Sequence, residues 1–249
     1  MKLYHYTSLK KFSSIWESKE LWLSSAHVPS NNDIFERVKS VSIDTSNLDF
    51  AEDALMGNGR IKINKYLNTL NSYRQASFAK DYISKETGEL ITYGCLSPMM
   101  WGQYADCANG VCLEFDSEHL KFNDDTAIIH ADEVEYDENV SSFIIDEEKM
   151  KTISDPISFI EQHIKELYYH KHIHWYYENE YRVVSRLNSK DDILSIMIED
   201  SLTHIYVPRY QGESSDFVKT HVGNKFPISF LTTEEENGVK KLCTRPFNF

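Results

Sequence analysis

Residues 175–182 read Trp-Tyr-Tyr-Glu-Asn-Glu-Tyr-Arg and continue into two valines. In a β-strand, successive side chains alternate between faces, so Glu178, Glu180 and Arg182 would share one face. Two neighbouring carboxylates repel each other, and a fold tolerates them most readily where something uses them. An exposed edge strand with an Arg182–Glu180 ion pair explains the same pattern, and the spacing alone favours it. The choice between a functional site and a structural ion pair therefore depends on the rest of the chain.

The composition indicates one large domain or two small ones. The chain has 249 residues, of which 41% are hydrophobic and 13% aromatic, enough for a substantial core. No apolar run approaches the ~20 residues that span a bilayer, and the N-terminus has no apolar signal segment. The four cysteines are irregularly spaced, which argues against a zinc or disulfide framework. We therefore expect a cytoplasmic protein with reduced thiols and no membrane contact.

The net charge of −13 bears on which macromolecules the protein can bind. An acidic surface repels a phosphate backbone, although it leaves room for a local nucleotide pocket. The same charge would attract a basic partner protein.

Hydrophobic spacing predicts strands and helices without regular βαβ alternation. The opening reads as strand, helix and strand, with helices also expected over residues 61–83 and from Asp155 onward. Residues 228–232 and 239–243 read as a hairpin. This pattern favours one α+β domain over residues 1–249, with a mainly antiparallel or split sheet and helices packed around it. Residues 40–90 are expected to form a helical insertion.

Several isolated residues have both a structural and a functional explanation. His170 and His174 would face together on a helix, as metal ligands can, but no third ligand is evident and a helix C-terminus also favours such side chains. Cys112 lies in a predicted strand and is expected to be a core residue. His5, in the first strand, is by itself more typical of a half-buried strand histidine. No Rossmann or P-loop glycine pattern occurs.

Taken together, several blocks resemble the bacterial family known as domain of unknown function 2971. The blocks occur in the family's order along the chain: residues 3–8, 21–25, 32–36, 100–106, 110–115, and 175–182. One departure from the family pattern is in the first loop, where the usual Asn-Asp-Pro reads Asn32-Asp33-Ile34. The resemblance implies a role in phage defence or as a toxin.

A more distant resemblance is to the ADP-ribosyltransferase core, in which a first-strand histidine, a second-strand serine and a late glutamate surround NAD. It implies that His5 holds a ribose, that Ser24 or Ser25 supports that site, and that Glu180 binds the nicotinamide ribose. Glu178 would orient an acceptor. Further candidate NAD contacts are Tyr6, Thr7, Trp101, Tyr104 and Arg182. The implied function is transfer from NAD to a protein or nucleic-acid acceptor.

The residue types suit this chemistry, because a carboxylate stabilises the oxocarbenium-like state of nicotinamide–ribose cleavage. Two other hypotheses stay open. One is a non-catalytic module that binds a nucleotide or a partner protein, such as an antitoxin or regulator. The other is a hydrolase in which Glu178 and Glu180 bind a divalent ion. The transferase hypothesis requires a geometric condition: His5, Ser24 or Ser25, and Glu180 should line one cleft.

Overall fold

The computed structural model describes residues 1–25, 42–44, 46–138, 143–187, 189 and 192–247. The strands are β1 Lys2–Thr7, β2 Glu20–Trp22, β3 Ser24–Ser25, β4 Ser42–Ile43, β5 Tyr73–Lys80, β6 Tyr82–Ile83, β7 Leu90–Thr92, β8 Val111–Asp116, β9 Ile129–Glu133, β10 Glu135–Asp137, β11 Ile144–Ile145, β12 His170–His172, β13 Glu180–Arg186, β14 Ser195–Met197, β15 Leu202–Val207, β16 Ile228–Glu236 and β17 Val239–Pro246.

The α-helices are α1 Leu9–Ser18, α2 Leu48–Leu55, α3 Gly57–Leu70, α4 Pro98–Tyr104, α5 Glu147–Thr152, α6 Pro156–Gln162, α7 Ile164–Tyr168, α8 Ile198–Ser201 and α9 Glu213–His221. Three short 3₁₀ helices cover Gly94–Leu96, Ser117–His119 and Ile173–Glu178. Among the described residues, none of these helices has the length and apolar character needed to cross a membrane.

A nine-stranded sheet forms the centre of the fold. Its order is β17-β16-β15-β8-β1-β5-β13-β9, with β3 also beside β5. The β15–β16 pair is parallel and the other pairs in this sheet are antiparallel. The prediction of an α+β fold with a mainly antiparallel sheet is confirmed.

The sheet has two faces with separate cores. On the first face, Leu3 and Leu113 pack in one hydrophobic cluster with the buried side of α1, which includes Phe12. On the second face, Tyr4 and Trp101 belong to another cluster, which brings α4 against β1. Strand alternation assigns neighbouring residues of β1 to opposite faces. This alternation decides which candidate residues can meet.

Helix α1 forms as its sequence predicts. The Ser8 hydroxyl accepts a hydrogen bond from the Lys11 amide at 3.3 Å, as an N-cap does. The helix ends at Lys19, which has a left-handed φ of 64°. The strand–helix–strand opening is therefore confirmed, although the second strand consists of the two short pieces β2 and β3.

Two helix predictions are wrong. The helix expected over residues 61–83 stops at Leu70, and β5 then runs through the middle of the sheet between β1 and β13. Residues 40–90 are thus not a helical insertion as a whole, because tertiary pairing overrides the local helical spacing of 73–80. The long helix expected from Asp155 is two shorter helices, α6 and α7, separated at His163. Asp33 is a plausible N-cap and predicts a short helix that starts at Ile34, but this segment lies outside the described residues.

Candidate functional site

Four charged side chains meet on the second face of the sheet and form what we call the buried charge cluster. Lys171 comes from β12, Glu178 from the end of the 3₁₀ helix, and Glu180 and Arg182 from β13. All four residues are buried. Buried charges are costly unless they are paired, so their partners determine what the cluster can do.

Arg182 and Glu180 form a bidentate ion pair. The guanidinium Nε lies 2.8 Å from Glu180 Oε1, and Nη2 lies 2.9 Å from Oε2. The remaining Nη1 donates to the Tyr168 carbonyl at the end of α7. This fork geometry holds the Glu180 carboxylate in one orientation.

Lys171 lies between the two carboxylates. Its Nζ is 2.5 Å from Glu178 Oε2 and 3.1 Å from Glu180 Oε2. The Tyr104 hydroxyl, at the end of α4, donates to the other oxygen of Glu178. One ammonium therefore relieves the repulsion between the glutamates, and Tyr104 fixes the second oxygen of Glu178.

A tight turn at Asn179 brings the two glutamates to the same face. Asn179 has a left-handed φ of 43°, which ends the 3₁₀ helix and starts β13. Its side-chain amide donates to the carbonyls of Lys80 and Asp81 at 3.3 and 3.0 Å. The turn is therefore tied to the end of β5. The prediction that Glu180 and Arg182 share one face of a strand is confirmed. It is wrong for Glu178, which lies in the 3₁₀ helix and reaches the same cluster through the turn.

The two glutamates have opposite pKa shifts. Burial raises the pKa of Glu178, and neighbouring Lys171 only partly opposes this effect. Burial would also raise the pKa of Glu180, but Arg182 and Lys171 outweigh it and hold that pKa well below its usual range. Carboxylates with pKa values pushed apart are typical of acid–base sites, and also of structural ion-pair networks.

We predict opposite pH profiles for Glu178→Gln and Glu180→Gln. The folded-state pKa of Glu178 is raised above 4.5, so the folded protein holds this proton more tightly than the unfolded chain. Wild-type stability therefore falls as pH rises from 4.5 through the folded-state pKa, and Glu178→Gln removes this loss. Because the folded-state pKa of Glu180 is depressed, its ionisation stabilises the protein fully above pH 4.5 and progressively less in acid. Relative to wild type, Glu178→Gln should therefore gain stability with rising pH, while Glu180→Gln should lose it. Urea denaturation from about pH 3 to about pH 8 measures both; parallel profiles for the two variants would contradict these pKa directions.

A cleft of about 310 Å³ opens beside the buried charge cluster. It lies between the 3₁₀ helix of residues 173–178 and the segment around β6 and β7. The lining residues with polar or aromatic side chains include Tyr82, Tyr93, Tyr176, Tyr177, Glu178 and Asn179. We call this the tyrosine cleft. Glu178 is the member of the buried charge cluster that belongs to its lining.

Two of the predicted aromatic residues lie next to this site. Trp101 is buried, and its Nε1 donates to the Cys95 carbonyl at 2.8 Å. Its ring meets the Tyr6 ring edge-on, with 5.2 Å between centroids. Neither ring lines the tyrosine cleft, so both are structural supports of α4 against β1. Cys112, expected in the core, is buried beside them.

His5 lies on the opposite face from Glu180, so the expectation that Glu180 faces His5 is wrong. Tyr4 pairs with Ala79, and Ala79 pairs with Glu180, which places these three side chains on the second face. His5, one residue after Tyr4, points to the first face. There its Nδ1 lies 3.1 Å from the Ser77 carbonyl, its ring packs 5.8 Å from that of Phe78, and burial lowers its pKa.

The serine and threonine candidates do not complete a site with Glu180 either. Thr7 is two residues from His5 and shares its face. Ser24 pairs with Gln75, four residues along β5 from the partner of Glu180, or about 13 Å at the rise of a strand. Its hydroxyl donates to the Gln75 carbonyl at 3.3 Å, and Ser25 pairs with Arg74 on the other face. The His–Ser–Glu arrangement is not assembled in one cleft.

Lys171 is not among the residues predicted for the site, and its two histidine neighbours lie on a strand, not on the expected helix. His170 and His172 flank Lys171 on β12, so the helical spacing of His170 and His174 does not exist. Within the part of the chain that the structure describes, no group of three histidine, cysteine or acidic side chains has metal-binding geometry. A single lysine between histidines carries no recognisable pattern, and only the pairing of β10 with β12 places it at the glutamates.

The fold and site define an α+β protein in which the buried charge cluster lies beside the tyrosine cleft. The family model described as "Protein of unknown function (DUF2971)" matches residues 100–183. The chain is similar to that family over this segment, which contains Tyr104 and all four members of the buried charge cluster. No curated protein and no solved structure gives a significant match.

Proposed function

We propose that the tyrosine cleft binds the base and ribose of a nucleotide such as NAD. The observation that carries this proposal is the position of Glu178, which lines the cleft with its carboxylate held by Lys171 and Tyr104. A fixed carboxylate accepts hydrogen bonds from vicinal ribose hydroxyls. The surrounding tyrosine rings offer stacking surfaces for a planar base.

The size and charge of the cleft favour a ring and a sugar over a whole dinucleotide. About 310 Å³ is at the lower end of small-molecule sites. Lys80 is the cationic residue among the described lining residues, and its Nζ is 2.6 Å from Glu133. The phosphates of NAD would therefore extend outside the cleft into solvent.

A second candidate function is ADP-ribosyl transfer, and the raised pKa of Glu178 favours it. The nicotinamide–ribose bond would break, an acceptor oxygen or nitrogen would bond to the ribose carbon, and the acceptor proton would pass to Glu178. A glutamate with a raised pKa suits such a general base. In this scheme Glu178 takes the catalytic role, since His5 and Glu180 lie away from the cleft. The acceptor would be a protein or a nucleic acid; a role in phage defence or as a toxin rests on the family resemblance alone.

Binding and turnover test the two candidates separately. We expect calorimetry to detect NAD binding to the wild type, and Glu178→Gln to weaken it about tenfold or more, because a charge-assisted hydrogen bond is lost. Glu234→Gln, an exposed residue of β16, is the control and should leave binding unchanged. Equal NAD affinity in wild type and Glu178→Gln would reject the binding site. Nicotinamide release that is absent in the wild type with protein and RNA acceptors, or unaffected by Glu178→Gln, would reject the transferase.

A further inference from the structure

Aromatic rings frame the tyrosine cleft from three separate segments of the chain. Tyr82 lies on β6, Tyr93 follows β7, and Tyr176 and Tyr177 belong to the 3₁₀ helix. Tyr82, Tyr93 and Tyr176 are 42%, 48% and 56% exposed, so much of each ring is available to a ligand. The faces of aromatic rings are electronegative and attract cations.

The charges around the cleft also favour a cation. Among the described residues, two charged ones line the cleft, and each is paired: Lys171 Nζ is 2.5 Å from Glu178, and Lys80 Nζ is 2.6 Å from Glu133. Asp81 lies between two lining residues, Lys80 and Tyr82, and accepts a hydrogen bond from the Gly94 amide of the lining at 2.8 Å. In both ion pairs the positive charge is therefore matched by a carboxylate. These two pairs cancel, so the five groups carry one net negative charge, that of Asp81, when all of them are ionised.

We propose that the tyrosine cleft selects an organic cation, so that the ring it accepts from a nicotinamide nucleotide is the positively charged pyridinium. This inference rests on the proposed function in using the same cleft, and it adds the charge of the ligand. An oxidised nicotinamide ring is planar and cationic, whereas the reduced ring is neutral. A negative ligand would instead meet the carboxylate of Glu178 and the electronegative ring faces.

Two matched ligand pairs measure this selectivity. NAD⁺ and NADH carry the same phosphates and sugars and differ in the charge of the ring. The N-methylnicotinamide cation and neutral nicotinamide make the same comparison without any nucleotide. Calorimetry or NMR line broadening should give about threefold to thirtyfold tighter binding for the cationic member of each pair, the range expected of cation–π contacts.

Variants of the exposed tyrosines separate the ring face from apolar bulk. Tyr93→Leu and Tyr176→Leu should reduce the preference for the cation, because leucine fills space without an electronegative face. Tyr93→Phe and Tyr176→Phe should retain it. Tyr210→Leu is the matched control, since Tyr210 is 44% exposed and packs on Phe247 instead of lining the cleft.

The outcomes distinguish this inference from the proposed function. Equal binding of NAD⁺ and NADH overturns the cation preference and leaves the nucleotide site standing. Failure of both dinucleotides to bind, together with a preference for N-methylnicotinamide over nicotinamide that is lost in Tyr176→Leu, supports the cation site and overturns the nucleotide proposal. Equal or undetectable binding of the two small ligands and the two dinucleotides overturns both.

Discussion

Replacing Arg182 by Met should lower the free energy of unfolding by about 3–5 kcal/mol at neutral pH. Arg182 is buried, and its guanidinium makes two close contacts with the equally buried Glu180. Methionine fills similar space but leaves the Glu180 carboxylate in the interior, with the Lys171 ammonium 3.1 Å away as its ion-pair partner. The loss is thus mainly the penalty of a buried carboxylate whose charge is only partly compensated, because Lys171 is shared with Glu178. Chemical denaturation of the two proteins measures it.

Two comparisons separate this charge effect from a loss of packing. Arg245→Met removes an exposed arginine that pairs with Glu234 at 3.3 Å, and should cost less than about 1 kcal/mol. The double variant Glu180→Gln with Arg182→Met should be more stable than Arg182→Met alone, since no ionised carboxylate is left at Glu180. If the double variant is less stable than the single one, the loss comes from packing and the charge argument is wrong.

Replacing Lys171 by Met should also cost about 3–5 kcal/mol near neutral pH, with a loss that depends on pH. Lys171 is the ammonium between Glu178 and Glu180. Without it, the pKa of Glu178 should rise further, because the charge of Lys171 opposes the effect of burial more strongly than the Tyr104 hydrogen bond does. A raised folded-state pKa removes stability as pH rises, so the loss should be smallest below pH 4.5 and grow above it.

Lys165→Met is the control for Lys171→Met. Lys165 pairs with Asp132 at 2.7 Å on the surface, where both side chains are exposed. It should cost less than about 1 kcal/mol. A loss for Lys171→Met that is independent of pH would show that Lys171 does not govern the protonation of Glu178.

Local patterns predict the elements whose signals agree with their tertiary environment. Helix α1 has an N-capping Ser8 and a single apolar face, and it forms where expected. Strand β5 shows the limit of such patterns. Residues 73–80 carry helical spacing, yet they form a strand because β1 and β13 pair with both of its edges. No local signal records those partners, which are distant in sequence.

The same limit applies to the candidate site. Alternation along β13 places Glu180 and Arg182 on one face, and the sequence alone is sufficient for that inference. The same alternation in β1 places Tyr4 and His5 on opposite faces. It does not determine which of the two shares a face with Glu180. The register of β5 against β1 on one side and against β13 on the other decides this, and a shift of one residue in either pairing would reverse the answer.

The sequence by itself therefore determined that Glu180 and Arg182 share one face, because the periodicity of a strand is a local property. Glu178 joins them through the left-handed turn at Asn179, which strand alternation does not indicate. The tertiary structure alone decided what surrounds them. It brought Lys171 from β12 and Tyr104 from α4, and it turned His5 to the other face. These contacts depend on the pairing and packing of segments far apart in the chain, where cooperative burial, not local spacing, selects the register.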